Sequence, residues 1–287
     1  MKAPFERIVQ SAGAKLRVVG RPMADPRGAI VFVPGFAEHS GRYSRLAREL
    51  ASRGYSTYAY DPRGHGRSTG ARGHCPSWSV LADDLAAVVA DLEAHGDLRP
   101  RRALWASSMG ALLAAEWLPR QPADRFHGAV FVAPYFAPAE KLPASKVLLA
   151  RTLGTLLPWI AQPHGLRGRE MSRDQSVIDA YDGDRELTRV MSARYFNEMR
   201  AAQARIAAHG ADGLALPVLH VHGAADPIAS LEAARAYMRT VTAPGSESLV
   251  YPGNLHEPLN DLEGGRVLAD VVRWLDRVVL DRSRPGP

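Results

Sequence analysis

Six short, apolar, β-rich runs recur along the 287-residue chain, each closed by turn residues: Ala29–Val33, Ser56–Tyr60, Ala103–Ser107, Ala129–Ala133, Val218–His222 and Ser248–Tyr251. Short apolar runs of this kind are how strands buried on both faces of a parallel sheet read. Helical patterns lie between most of them. Leu46 and Leu50 stand one turn apart ahead of Gly54. Leu81, Leu85, Val88 and Leu92 form one stripe between Ser79 and His95, ended by Gly96, and Leu268, Val271, Val272, Leu275 and Val279 repeat at helical spacing between Arg266 and Leu280. Alternation of strand and helix predicts an α/β fold, a mostly parallel central sheet with helices on both faces.

The rhythm breaks once. Between Ala137 and Gly210 no β-rich run appears, and "KVLLARTLGTLLPWIA" and "RELTRVMSARYFNEMRAAQARIAAHG" read as helices on either side of a looped middle. A crossover of about seventy residues is far longer than a sheet needs. Residues 137–210 are therefore expected to form a helical cap inserted into a core built from 1–136 and 211–287.

Composition narrows the function. Hydrophobic content of 46% and charged content of 23% are those of a globular domain, and no apolar run approaches the roughly 20 residues of a spanning helix. The opening "MKAPFERIVQSAGAK" has no apolar signal core, so cytoplasmic residence is the expectation. A net charge of +6 favours anionic partners, but only four lysines occur and acids are interspersed among the arginines. That pattern argues against nucleic acid and leaves attraction to a membrane surface open. The single cysteine, Cys75, excludes an internal disulfide and a multi-cysteine metal site. It does not pair with His74 as a nucleophile, because adjacent residues in extended chain point apart. In "DPRGHGRSTG" the spacing of Gly64, Gly66 and Gly70 is not that of a dinucleotide loop, and His65 and His74 lack the company of metal ligands. The loop is read as support for a site.

"LWASSMGALLAAE" poses the central question, because two serines stand side by side where a strand turns into a helix. A nucleophile at such an elbow sits on a strained turn that demands small residues two before and two after it. Ser107 has Trp105 and Met109 there and fails; Ser108 has Ala106 and Gly110 and fits. The competing role for Ser108 is to cap the helix that follows. A serine hydroxyl needs a base, and the base an orienting acid. Asp226 follows the strand "VLHVH" and His256 follows "SLVY", which gives the order Ser, Asp, His at the carboxyl ends of strands that a parallel sheet brings to one edge. Asp61, at the end of "STYAY", is the reserve acid. Oxyanion donors are expected at the backbone N–H of Met109 and, in the loop "VPGFAEHSGRY", at that of Phe36.

Six stretches carry a resemblance: "PGFAEHSGRYSRLARELASRGY", "YDPRGHGRSTGARGH", "SSMGALLAAEWL", "SRDQSVIDAYDGD", "PVLHVHGAADPI" and "YPGNLHEPLND". Together they resemble the monoacylglycerol lipase and lysophospholipase group of the α/β-hydrolase superfamily, over residues 5–280. The resemblance implies a serine esterase acting on monoacylglycerols, lysophospholipids or related lipid esters, with an apolar tunnel under a cap that touches the membrane. By it Ser108, Asp226 and His256 form the triad, and Phe36 and Met109 the oxyanion hole. No metal or organic cofactor is required. The chain departs from the family pattern at Pro34, which stands where His is usual, at Phe36, which is bulky, and at Ala106 and Ser107, which replace Gly and His. A phenyl ring beside the nucleophile predicts a shortened pocket or an altered acyl preference.

Lys146 to Ala161, with Leu148, Leu149, Leu153, Leu156, Leu157 and Trp159, reads either as a lipid-entry surface, in which Leu156 and Trp159 meet substrate, or as a helix packed on the core. Other functions on the same scaffold are a carboxylesterase of small acyl esters, a peptidase or an acyltransferase, and a non-catalytic ligand-binding homologue. Aspartate-dependent dehalogenation is disfavoured by serine at the elbow. The oligomeric state is not legible.

Overall fold

A computed structural model describes residues 3–140, 145, 152, 154 and 156–280. Its centre is an eight-stranded sheet in the order β1-β2-β4-β3-β5-β6-β9-β10. Strands β3 (Gly28–Val33), β4 (Tyr55–Tyr60), β5 (Arg102–Ser107), β6 (Gly128–Val132), β9 (Val218–Gly223) and β10 (Glu247–Tyr251) correspond to the six predicted runs and pair in parallel. Every residue of β3, β4, β6 and β9 is buried, so these strands have no solvent-facing side, and even the alternating His220 and His222 of β9 lie inside.

The sequence reading missed β1 (Phe5–Ser11) and β2 (Ala14–Arg21), an antiparallel hairpin attached to the sheet through antiparallel β2–β4 pairing. Its signal was present. Along β2, buried Ala14, Leu16 and Val18 alternate with more exposed neighbours, and Ala12 and Gly13, both at positive φ (40° and 77°), make the two-residue turn a hairpin needs.

Alternate residues of the strands divide between two cores. On one face Val31, Val33 and Phe131 pack with α2 (Trp78–Ala94) and α3 (Met109–Trp117). On the other, Ile30, Phe32 and Trp105 pack with α1 (Ser44–Ala51) and the C-terminal helix (Gly264–Trp274), which runs on into a π-helical turn, Leu275–Val279. The helix from Ser79 to His95 predicted by the leucine stripe is thus found one residue earlier, capped by the Ser77 hydroxyl, and Gly96 follows it at φ 69°.

Residues 137–210 differ from expectation in two respects. A short antiparallel ladder joins β7 (Ala161–Pro163) to β8 (Val190–Ser192), so the segment is not wholly helical. The predicted helix over "RELTRVMSARYF" begins only at Ala193, because Ser192 ends β8 and its hydroxyl caps the Tyr195 N–H. Between these strands lie two short helices, α4 (Gly168–Met171) and α5 (Gln175–Gly183); after them α6 (Ala193–His209) lends Tyr195, Met199, Ala202 and Ile206 to the same core as α2 and α3. Further along the chain lie α7 (Leu231–Met238) and α8 (Gly264–Trp274). Leu148, Leu149 and Leu153 lie outside the described residues.

Candidate active site

The turn between β5 and α3 holds Ser108 at φ 51°, ψ −118°. A non-glycine residue there costs about 1–3 kcal/mol, which the surroundings must supply. They do so by fixing both backbone groups: the Ser108 N–H donates to the Val132 carbonyl (2.8 Å), and its carbonyl accepts from Ala111 (3.0 Å) and Tyr135 (3.1 Å). The demand for small neighbours is visible. A Cβ on Gly110 would lie 2.3 Å from the Val33 carbonyl oxygen and 2.5 Å from that of Pro34, and Ala106 is fully buried. Ser108 heads α3, but its side chain makes no capping bond. The hydroxyl lies instead 3.0 Å from His256 Nε2.

His256 Nδ1 is 2.8 Å from Asp226 Oδ2. A carboxylate only accepts, so Nδ1 carries the proton and Nε2 is left as an acceptor for the Ser108 hydroxyl. Asp226 is nearly inaccessible and its other oxygen accepts from the Ile228 and Ala229 N–H groups at 2.8 and 3.0 Å. Burial opposes its ionisation, but the facing His256 and these hydrogen bonds outweigh burial and hold the carboxyl far below its usual range. For His256 burial favours the neutral ring; Asp226, with Glu257 and Glu38 further off, overcomes that and raises its pKa. Asp61, the reserve acid, is committed elsewhere. It accepts from the backbone of Ser40 (2.7 Å) and Arg67 (2.8 Å), tying the two glycine-containing loops together.

The loop after β3 passes close to Ser108. A Cβ on Gly35 would be 3.2 Å from Ser108 Cβ, so only glycine lets the loop come this close without displacement. The Gly35 N–H is taken by Glu38 Oε2 (2.7 Å), which leaves Phe36 as the next donor along the chain. Met109 opens α3, so its N–H belongs to the first turn, where no partner exists within the helix. The Phe36 ring is buried edge-on among His65, His164 and Tyr195, with centroids 5.2, 5.6 and 5.0 Å away. His65 supports that ring: burial pushes its pKa down to about 4, and its Nδ1 lies 2.8 Å from the Arg63 carbonyl. His74, by contrast, bonds the Ser192 hydroxyl in β8.

These groups open into a cavity of about 590 Å³, within the usual range for a small-molecule site. Phe36, Ser107, Ser108, Met109 and His256 line it, and residues 160–199 add Ile160, Leu166, Met171, Met191, Phe196 and Met199. Leu156 and Trp159 are not among its lining residues, contrary to the assignment of both to substrate contact. They are 68% and 66% exposed on the outer surface, and Leu157 beside them is 39% exposed.

Sequence reasoning also missed a charged cluster in the cavity wall. Arg42 forks onto both oxygens of Glu257 (2.7 and 2.8 Å) and reaches Glu38 (3.4 Å), whose Oε2 also accepts from the Tyr43 hydroxyl at 2.8 Å. Asn260 completes it with a 2.8 Å bond to Glu257. Glu38 and Arg42 stand four residues apart after β3, and nothing local in the sequence announces their distant partner Glu257.

The histidine loop is bound to residues 170–173. The Glu257 N–H donates to the Met171 carbonyl (2.8 Å), that of His256 to Glu170 (3.4 Å), and the Ser172 hydroxyl to Asn260 (2.9 Å). Arg173 Nε bridges both oxygens of buried Asp261 at 3.0 and 3.1 Å.

Residues 24–263 match the family described as Hydrolase_4: Serine aminopeptidase, S33. The chain belongs to this family. Within the comparisons, a monoacylglycerol lipase of Mycolicibacterium smegmatis is 31% identical over 257 residues, spanning 90% of this chain and 91% of the relative. The monoglyceride lipase of Homo sapiens is 27% identical, over 93% and 88% of the two chains. The solved structure of Paleococcus ferrophilus monoacylglycerol lipase superposes with a TM-score of 0.81 at 27% identity, covering 91% of this chain and 98% of that one. The Hydrolase_4 chain described here has the α/β-hydrolase fold, with β1 and β2 as its antiparallel margin.

Proposed function

We propose that the chain is a serine hydrolase of lipid carboxylic esters, with monoacylglycerol or a lysophospholipid as substrate. The observation that carries this reading is the unbroken hydrogen-bonded order Ser108, His256, Asp226 at the floor of a cavity walled largely by apolar side chains. The relatives named above support the substrate class.

In this mechanism Ser108 Oγ attacks the ester carbonyl carbon while its proton passes to His256 Nε2. Negative charge collects on the former carbonyl oxygen, which the N–H groups of Met109 and Phe36 receive; each such donor lowers the barrier by roughly 3–4 kcal/mol. Collapse of the intermediate breaks the bond to the alcohol, which takes the proton from His256. Water then attacks the acyl-serine, giving its proton to His256, and the acid departs as that proton returns to Ser108. Asp226 keeps the imidazole in the required tautomer and balances its positive charge. The apolar side chains of Ile160, Leu166, Met171, Met191, Phe196 and Met199 suit an acyl chain, and the Arg42, Glu38 and Glu257 cluster suits a hydroxylated alcohol portion. Residues 137–210 act as a cap on a core of 1–136 and 211–287, and the exposed Leu156 and Trp159 form its lipid-facing patch.

Aminopeptidase activity, the property in the family's description, is less well served. It calls for a carboxylate free to hold the substrate ammonium, whereas Glu38 and Glu257, the acidic residues lining the cavity, are both engaged by Arg42.

The test is covalent labelling by a fluorophosphonate, alongside turnover of monoacylglycerol, lysophospholipid and amide substrates. Labelling at Ser108 with ester turnover is expected, both absent in Ser108→Ala. Labelling at Ser107, or amide cleavage without ester cleavage, overturns the reading.

A further inference from the structure

Behind the Asp226 carboxylate, away from His256, two further imidazoles continue the hydrogen-bonded line. His220 and His222 are alternate residues of β9 and both are completely buried. His222 Nε2 lies 3.3 Å from Asp226 Oδ2 and 3.2 Å from the Ala229 carbonyl oxygen. His222 Nδ1 lies 3.1 Å from His220 Nε2, and His220 Nδ1 lies 3.2 Å from the hydroxyl of Ser248, an exposed residue of β10.

The proton positions along this line follow from one acceptor. A carbonyl oxygen cannot donate, so His222 Nε2 must carry hydrogen, shared between Ala229 and Asp226. His222 Nδ1 is then a bare lone pair and accepts from His220 Nε2–H. His220 Nδ1 in turn accepts from the Ser248 hydroxyl. Each donor points the same way, toward the carboxylate. Burial, with His222 and Arg235 adding to it, pushes the His220 pKa down to about 3, which keeps that ring neutral and this polarity intact.

We infer that His222, held by His220 and Ser248, is a positioning residue that donates to the same Asp226 oxygen as His256 and thereby sets the pH at which His256 becomes a base. Asp226 then accepts four N–H groups, two on each oxygen, which saturates a buried carboxylate. A donor on Oδ2 withdraws charge from the oxygen that faces the imidazolium. Removing it makes the carboxylate more basic, stabilises protonated His256, and moves the acid limb of the rate profile to higher pH. The line is not a route for proton export, because its last member before His256 is a carboxylate that resists protonation.

The inference rests on the triad proposed above, and a matched pair of variants tests it. In His222→Gln the side-chain amide nitrogen falls near the ring Nε2 position and still reaches Asp226. In His222→Asn the shorter amide keeps a partner for His220 and falls short of Asp226. The other charged and titratable groups facing this line, Glu38, Arg42 and Glu257 near His256, Tyr135 near Asp226 and Arg235 near His220, are the same in both. The expected result is an acid limb of kcat/KM raised by about 0.5–1 pH unit in His222→Asn and within a few tenths of wild type in His222→Gln. The His256 Nδ1 proton resonance should move to lower field in the Asn variant alone. Equal behaviour of the two variants in limb and resonance, shifted or unshifted, overturns the inference. The resonance is read without turnover, so a wild-type protein that cleaves no lipid ester would overturn the proposed function and leave this test standing.

Discussion

The two walls of the cavity are built on different principles. The sheet-edge wall carries the proposed triad on tightly constrained backbone: Ser108 is strained, Gly110 and Gly35 are hemmed in by neighbouring chain, and both oxygens of Asp226 are hydrogen-bonded. The wall from residues 160–199 offers mainly apolar side chains, Ile160, Leu166, Met171, Met191, Phe196 and Met199 among them, with exposed Leu156 and Trp159 outside it. The proposed chemistry thus rests on closely constrained backbone, and substrate choice on side chains that can be exchanged one at a time.

Variants at the two walls should therefore fail in different ways. The largest effect is expected at the sheet edge. Asp226→Asn should lower kcat by about 10⁴-fold through loss of the correct His256 tautomer, with KM for a soluble ester little changed. Ser107→Ala, one residue from the nucleophile, should stay within about threefold of wild type. Comparable losses in the two would dissolve the distinction between the serines.

An intermediate effect is expected where the walls meet. Phe36→Ala removes a ring packed on His65, His164 and Tyr195 next to the nucleophile. It should shift the preferred acyl chain of p-nitrophenyl esters to greater length, with relative kcat/KM changing by about 10-fold across the series, the scale of a few methylene contacts. Superimposable chain-length profiles would remove Phe36 from specificity.

The smallest catalytic effect is expected at the exposed Leu156 and Trp159. Leu156→Ser combined with Trp159→Ser should leave kcat/KM on a short soluble ester unchanged and reduce flotation with liposomes several-fold. Unchanged flotation would assign the patch no role at a lipid surface.

The parts legible in the sequence are those whose physics is local. A buried parallel strand has to be a short apolar run, and an elbow has to have small neighbours, so β3 to β6, β9, β10 and Ser108 could be read directly. Asp226 and His256 could be read because strand ends converge on one edge. The hairpin β1–β2 was obscured because its turn is Ala12-Gly13 in place of the usual Asn-Gly, although its alternation was present. The ladder β7–β8 was illegible for a deeper reason: two three-residue strands, separated by two helices, are stabilised by what they pack against and not by their own sequence. The same holds for Arg42, Glu38 and Glu257, whose partnership spans 215 residues from Arg42 to Glu257. Ordinary helix-forming composition in "RELTRVMSARYF" likewise suggested more helix than forms, since β8 and the Ser192 cap claim its first part.

The backbone bonds from Glu170 and Met171 to His256 and Glu257 have a consequence for how substrate reaches the floor of the cavity. Because Glu170 and Met171 share one hydrogen-bonded frame with the His256–Glu257 backbone, displacing residues 168–173 would draw the imidazole off Ser108. On the proposed mechanism, substrate entry that keeps the triad assembled proceeds by rearrangement of side chains elsewhere around the rim.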